Sequence, residues 1–185
     1  KLNDISKNEL AKLSAPEMLV FLKAWAEEYG SEAQQAYFKD ETYLTRVLDL
    51  CMGTSGKKRR KDFTTAKQAV EFIAYFFEKT ARIDEYRVNN ADRTAILQDF
   101  LASYNNSDDA QVWFSKVKAV AGAHGFAAEM KDYKQNPEAY KGSVADVAEV
   151  LRIAVTGKAN TPDLWSIMQI LGEKETRARI DAAKE

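Results

Sequence analysis

Long apolar runs are missing from this 185-residue chain. Nothing in it approaches the ~18 consecutive apolar residues that a membrane-spanning helix needs. No signal-peptide pattern opens it. Cysteine is nearly absent. Cys51 stands alone, which excludes a disulfide framework and a thiolate metal cluster and fits a reducing cytoplasm. His124 is the single histidine, and that removes most zinc sites and the usual Ser-His-Asp triad. There is no Gly-rich phosphate-cradling loop and no metal-ligand spacing, so no catalytic residue, metal or cofactor is expected here. Net charge is missing too: 27 Lys and Arg stand against 28 Asp and Glu, a balance of −1. Contact with a nucleic acid would therefore need a local patch, because the global field does not supply it. What is present is apolar material: 45% hydrophobic and 11% aromatic residues. That is enough for a packed core and argues against disorder. The first residue is Lys1, not Met, as expected of an excised fragment.

The apolar positions recur with helical spacing almost throughout, and strand signals are weak, so the expected fold is all-α. Ser14 and Glu17 read as a capping box ahead of Leu19, Leu22 and Ala26, with Gly30 as the stop. Leu44, Val47, Leu48 and Cys51 give a second amphipathic helix, ended by the Gly-Thr-Ser-Gly run at 53–56. Thr65 and Gln68 read as another capping box, ahead of Ala69, Val70, Ile73, Phe76 and Phe77. Residues 83–90 are polar and break the pattern, and the subdomain boundary is expected there, giving 1–88 and 89–185. Helices are then expected over 91–104 and 108–123, the latter with Val112, Phe114, Val117 and Val120 as its apolar positions. Asn136-Pro137 marks a turn. Ser143 caps a helix through Val147, Val150, Leu151 and Val155, stopped by Gly157. Thr161 is expected to cap the next, with Pro162 at its first position, where proline costs least. Gly172 ends that helix, and 173–183 forms the last one. Tyr75, Phe76, Phe77, Trp113 and Trp165 suit core packing, and His124 suits a structural role at a helix end.

Two features could carry function. Five consecutive cations, Lys57, Lys58, Arg59, Arg60 and Lys61, would attract a phosphate backbone with steep salt dependence. The same run also reads as a solvated loop, or as a nuclear-import patch with nothing else to support it. Arg152 lies in the otherwise apolar run L-R-I-A-V. Its planar fork of donors suits pairing with a base edge or stacking on one. Equally, it could sit on the wet face paired with Glu149 or Asp146. The Thr161-Pro162 helix start directs N–H groups outward, as anion-binding ends and ordinary N-caps both do.

The order of residues in the last third is more specific. V-L-R-I-A-V-T-G at 150–157, N-T-P-D-L-W-S-I-M-Q-I-L-G at 160–172 and R-A-R-I at 177–180 resemble the end of bacterial glutamyl-tRNA synthetases. E-L-A-K-L-S at 9–14, R-K-D-F at 60–63, Y-F-F-E at 75–78, H-G-F-A at 124–127 and Y-K-Q-N-P-E-A-Y-K-G at 133–142 extend the resemblance over nearly the whole chain. The resemblance implies two helical subdomains of the α-helix cage type that bind the anticodon. It implies tRNA for glutamate as partner, with tRNA for glutamine as a further candidate, in a cytoplasmic monomer without membrane contact. Arg152 would contact the anticodon, and Thr161, Pro162 and Leu164 would read neighbouring bases, with Lys158 beside them. The first subdomain would add a reader whose position the motifs do not fix. The family's histidine-glycine signature and lysine-serine loop are absent here. ATP and Mg would therefore belong to a separate catalytic half, and this chain would join nothing to tRNA by itself. The alternative is a helical protein-interaction domain with a solvated basic loop.

Overall fold

The computed structural model describes residues 2–54, 56, 59–79 and 83–184, with side chains from residue 6 onward. Helices dominate, and no strand occurs among the described residues; the one extended pairing is an isolated bridge between Ala127 and Ser143. The chain divides into two compact units, Lys1–Thr80 and Ala81–Glu185.

The first unit holds α1 (Leu2–Leu10), α2 (Ala15–Tyr29), α3 (Glu32–Ala36), α4 (Glu41–Met52) and α5 (Ala66–Ile73). The reciprocal box between Ser14 and Glu17 starts α2, and that helix buries Met18, Leu19, Leu22 and Ala26. These residues pack against Leu44, Val47, Leu48 and Cys51 of α4 and against α5. A 2.7 Å ion pair from Lys23 to Glu41 also joins α2 to α4. Each fully buried large aliphatic side chain is worth roughly 1.5–3 kcal/mol, so this three-helix seam is the unit's main support. Thr65 does cap α5, accepting from Gln68 N at 3.2 Å. The return half of the expected box is displaced by one residue, because Gln68 Oε1 accepts from Thr64 N and Oγ1 instead. The short helix α3 has its own Ser31–Gln34 box, which the sequence reading passed over.

The second unit holds α6 (Asn90–Ser103), α7 (Ala110–Ala123), α8 (Met130–Gln135), α9 (Val144–Thr156), α10 (Leu164–Leu171) and α11 (Glu173–Ala182). Its core gathers Ile96, Leu97 and Phe100 of α6, Val147, Val150, Leu151 and Ile153 of α9, and Ile180 of α11. In α7 the buried positions are Trp113, Val117, Val120 and Ala121, which follow the 3.6-residue period. Val112 and Phe114, expected inside, are 44% and 39% exposed. They flank Trp113, and a helix that buries Trp113 turns both neighbours away. Phe114 instead lies under Lys118, 5.3 Å from ring centroid to Nζ. His124 does serve structure: Nε2 is 2.7 Å from Asp99 Oδ2, tying the end of α7 to α6. Gly142 is needed for close packing, since a Cβ there would lie 3.1 Å from the Phe126 ring and 2.8 Å from Asp146 Oδ2. That spacing lets Asp146 complete the capping box with Ser143 that starts α9.

Candidate nucleic-acid interface

α9 ends at Gly157, whose φ of 74° is left-handed and suits glycine. Six residues, 158–163, lead from there to α10. Arg152, one turn before the end of α9, reaches across this loop. Its Nη1 donates to Thr161 Oγ1 and, at 2.7 Å, to the Pro162 carbonyl; the Thr161 carbonyl lies at 3.4 Å. Thr161 Oγ1 in turn donates to the Pro162 carbonyl at 2.9 Å. Of the two acids that a wet-face placement of Arg152 would use, Glu149 pairs with Arg87 at 2.5 Å and Asp146 completes the Ser143 box.

The expected cap moves by two residues. Asp163 is the N-cap of α10, accepting from Ser166 N at 2.8 Å and Ser166 Oγ at 2.7 Å. Thr161 is 8% exposed and points inward to Arg152. Pro162 therefore precedes the helix and does not occupy its first position. Leu164, the first helical residue, is 2% exposed, so its side chain and its backbone both lie in the core. The sequence D-L-W-S at 163–166 carried the cap signal, a carboxylate followed three residues later by an N–H to receive, and the Thr-Pro pair obscured it.

Residues the sequence reading missed complete the frame. Thr156 Oγ1 lies 2.7 Å from the Arg152 carbonyl and accepts from Lys158 N at 3.1 Å. Asp84 N donates to the Gly157 carbonyl at 2.9 Å, and Asp84 Oδ2 accepts from Ala159 N at 2.8 Å. Arg179 Nη1 donates to the Val155 carbonyl at 2.9 Å, satisfying the end of α9 from α11. Arg177, two residues earlier, does the same for α6, donating to the Leu101 and Tyr104 carbonyls at 3.1 and 2.7 Å. This gives R-A-R-I a physical reading: two arginines cap two helix ends while Ile180, next along, is buried in the core. The chemistry at the loop is polar and cationic. Among the described residues no group of His, Cys, Asp and Glu is placed to hold a metal ion.

The basic run belongs to the first unit. Lys57 and Lys58 lie outside the described residues. Arg59 Nη1 donates to the Leu13 carbonyl at 3.0 Å, Arg60 pairs with Asp62 at 2.7 Å, and Lys61 Nζ donates to Asn8 Oδ1 at 2.6 Å. The described part of the run is thus tied back to the fold and is not a free loop, although Arg59 and Lys61 remain exposed. A shallow cavity of about 390 Å³ beside it is lined by Ser14, Arg46, Asp49 and Arg59, among others.

Residues 9–184 match the family described as "Anticodon binding domain". The chain belongs to that family. Similar to this anticodon-binding domain are the glutamate–tRNA ligases of Acetivibrio thermocellus, Clostridium perfringens strain 13 and Sorangium cellulosum. They are 43%, 37% and 35% identical to it, each over 97% of this chain and 33%, 34% and 32% of their own length. The domain thus spans about a third of the relatives it matches. An anticodon is part of a tRNA, so tRNA is the class of molecule that the family binds. No helix among the described residues is long and apolar enough to cross a membrane.

Proposed function

We propose that this chain recognises tRNA for glutamate on behalf of a glutamate–tRNA ligase, reading anticodon bases at the loop between α9 and α10. The observation that carries this is the guanidinium of Arg152 fastened to Thr161 and Pro162. It makes the 158–163 loop a pre-shaped segment ending at Asp163, the exposed N-cap of α10. Pre-shaping matters because ordering a loop on binding costs free energy that a fixed loop has already met.

In this reading Arg152 has a double part. It holds the loop and places a delocalised cation under any base lying across it. Thr161, Pro162 and Leu164, all buried, fix the backbone shape of the reading surface, and Lys158 supplies charge toward phosphate. Sequence-specific RNA recognition acts on splayed, unstacked bases of single-stranded loops, and an anticodon is such a loop. Lys57, Lys58, Arg59, Arg60 and Lys61 add affinity that does not distinguish sequence. tRNA for glutamine is a second substrate in the same reading, and the working state is a cytoplasmic monomer. ATP and Mg act elsewhere in the ligase in this reading, since the histidine-glycine signature and lysine-serine loop of the family's ATP site are not in this sequence. The rival reading as a protein-interaction domain is less well supported, since the family match runs through residues 9–184.

The test is a titration of the chain against tRNA for glutamate, alongside transcripts carrying single-base anticodon changes. The proposal expects the cognate to bind about tenfold or more tighter than each variant, the usual loss for one misread base. Equal binding to all transcripts refutes it. Release of pyrophosphate from ATP and glutamate by the pure chain would contradict its assignment as a reader without catalytic function.

A further inference from the structure

We propose that Asp84 is a positioning residue for the anticodon-reading loop, fixing the backbone on both sides of Lys158; this rests on the reading proposed above.

Asp84 lies in the irregular stretch ahead of α6, 73 to 75 residues before the groups it meets. Its backbone N–H donates to the Gly157 carbonyl at 2.9 Å, and its carboxylate accepts from Ala159 N at 2.8 Å. The two contacts bracket Lys158. Thr156 Oγ1 supplies the inner contact, accepting from Lys158 N at 3.1 Å and lying 3.2 Å from its carbonyl. Three hydrogen bonds over three consecutive residues fix that turn, and Asp84 makes the outer two. The stretch just beyond Asp84 is anchored twice. Tyr86 lies against the Arg93 guanidinium of α6, 4.7 Å from ring centroid to Cζ. Arg87 Nη2 pairs with Glu149 of α9 at 2.5 Å.

The charge makes the assignment specific. A carboxylate beside a phosphate-binding loop repels the ligand and lowers affinity unless it serves another purpose. A hydrogen bond from a backbone N–H to a carboxylate is about twice as strong as one between neutral groups. Asp84 thus accepts some electrostatic opposition in exchange for a fixed loop. Arg152 fastens the far end of the loop at Thr161 and Pro162, and Asp84 fastens the near end at Gly157 and Ala159. Between them the loop has little freedom to reshape around a wrong base.

The experiment compares Asp84→Ala and Asp84→Asn with the parent in two measurements on the whole chain. The first is amide hydrogen exchange at Ala159, followed by NMR with α9 core amides as internal control. The second is affinity for tRNA for glutamate and for single-base anticodon variants, with thermal melts to confirm folding. Asn keeps an acceptor for Ala159 N and loses only the charge; Ala loses both. Positioning predicts that Asp84→Ala speeds Ala159 exchange about tenfold or more without speeding the α9 core. It also predicts that the cognate-to-variant affinity ratio falls severalfold, and that Asp84→Asn restores most of both. Tighter binding by both variants to every transcript would mean that Asp84 acts only as a repulsive charge, and overturns the proposal. Unchanged Ala159 exchange in Asp84→Ala overturns it as well. A parent chain with no anticodon preference defeats the anticodon reading instead, and the exchange result alone then decides whether Asp84 positions the loop.

Discussion

Arg152 and Thr161, nine residues apart, are joined directly: Arg152 Nη1 donates to the Thr161 hydroxyl, and that hydroxyl donates to the Pro162 carbonyl. A side chain from the last turn of α9 thereby sets the path of the chain into α10. Thr161 is buried, so its hydroxyl has no water to fall back on. Thr161→Val keeps the shape and removes both hydrogen bonds. It should cost about 1.5–3 kcal/mol, the range for hydrogen bonds to charged groups. Thr161→Ser should recover most of that. Urea unfolding of the three proteins measures it, and a Val variant as stable as the parent would show that the bond adds nothing.

Arg179 and Arg177 make a separate prediction about stability. Each donates to carbonyls at the end of another helix, Val155 for α9 and Leu101 and Tyr104 for α6. Arg179→Ala should lower stability by about 1–2 kcal/mol, because it leaves a half-buried helix end without its cation. Arg179→Lys should recover only part of that, since an ammonium cannot keep both the Val155 carbonyl and the ion pair with Glu175 in the same fork geometry. Equal melting of the Lys variant and the parent would show that charge alone suffices.

The basic run predicts a salt effect without sequence preference. Changing Lys57, Lys58, Arg59, Arg60 and Lys61 to Gln should weaken cognate and variant anticodons alike. The slope of log affinity against log salt should shrink by about 0.7–0.9 for each phosphate contact removed. Arg59 and Lys61 also tie the run to Leu13 and Asn8, so a melt must accompany the titration. An unchanged slope would make the run structural only.

Acid should weaken the second unit through Asp92. Hydrogen bonds from Lys141 and Asn89 hold its carboxyl below the ordinary value of 3.8. A carboxyl with a lowered folded pKa contributes stability at pH above its ordinary value. That contribution is lost as pH falls through the lowered one. The melting temperature should therefore drop below about pH 4, and Asp92→Asn should flatten that part of the curve while lowering stability at neutral pH. A curve with the same slope in both proteins would remove Asp92 from the explanation.

Local chemistry made much of this fold legible in the sequence. The box at Ser14, the cap at Ser143 and the stops at Gly53 and Gly157 act over four residues or fewer, and each is where the pattern put it. The face of α7 was misread because Trp113 outweighs its two apolar neighbours, and apolar identity alone does not rank them. At the candidate interface, the structure brings Arg152 onto the Thr-Pro segment nine and ten residues further along. The cap at Asp163 was missed because two capping residues stood two positions apart and only packing chooses between them. Asp84 could not be found by any local rule, since its partners lie more than 70 residues further along the chain.

The central claim is that the Arg152-held loop discriminates anticodon bases. Its most direct test is the ratio of affinities for tRNA for glutamate and for a single-base anticodon variant, measured for the parent and for Arg152→Ala. The account predicts that Arg152→Ala loses about 1–3 kcal/mol on the cognate and much less on the variant, so the ratio collapses while the fold persists. A folded Arg152→Ala domain that keeps the parent's ratio would contradict it.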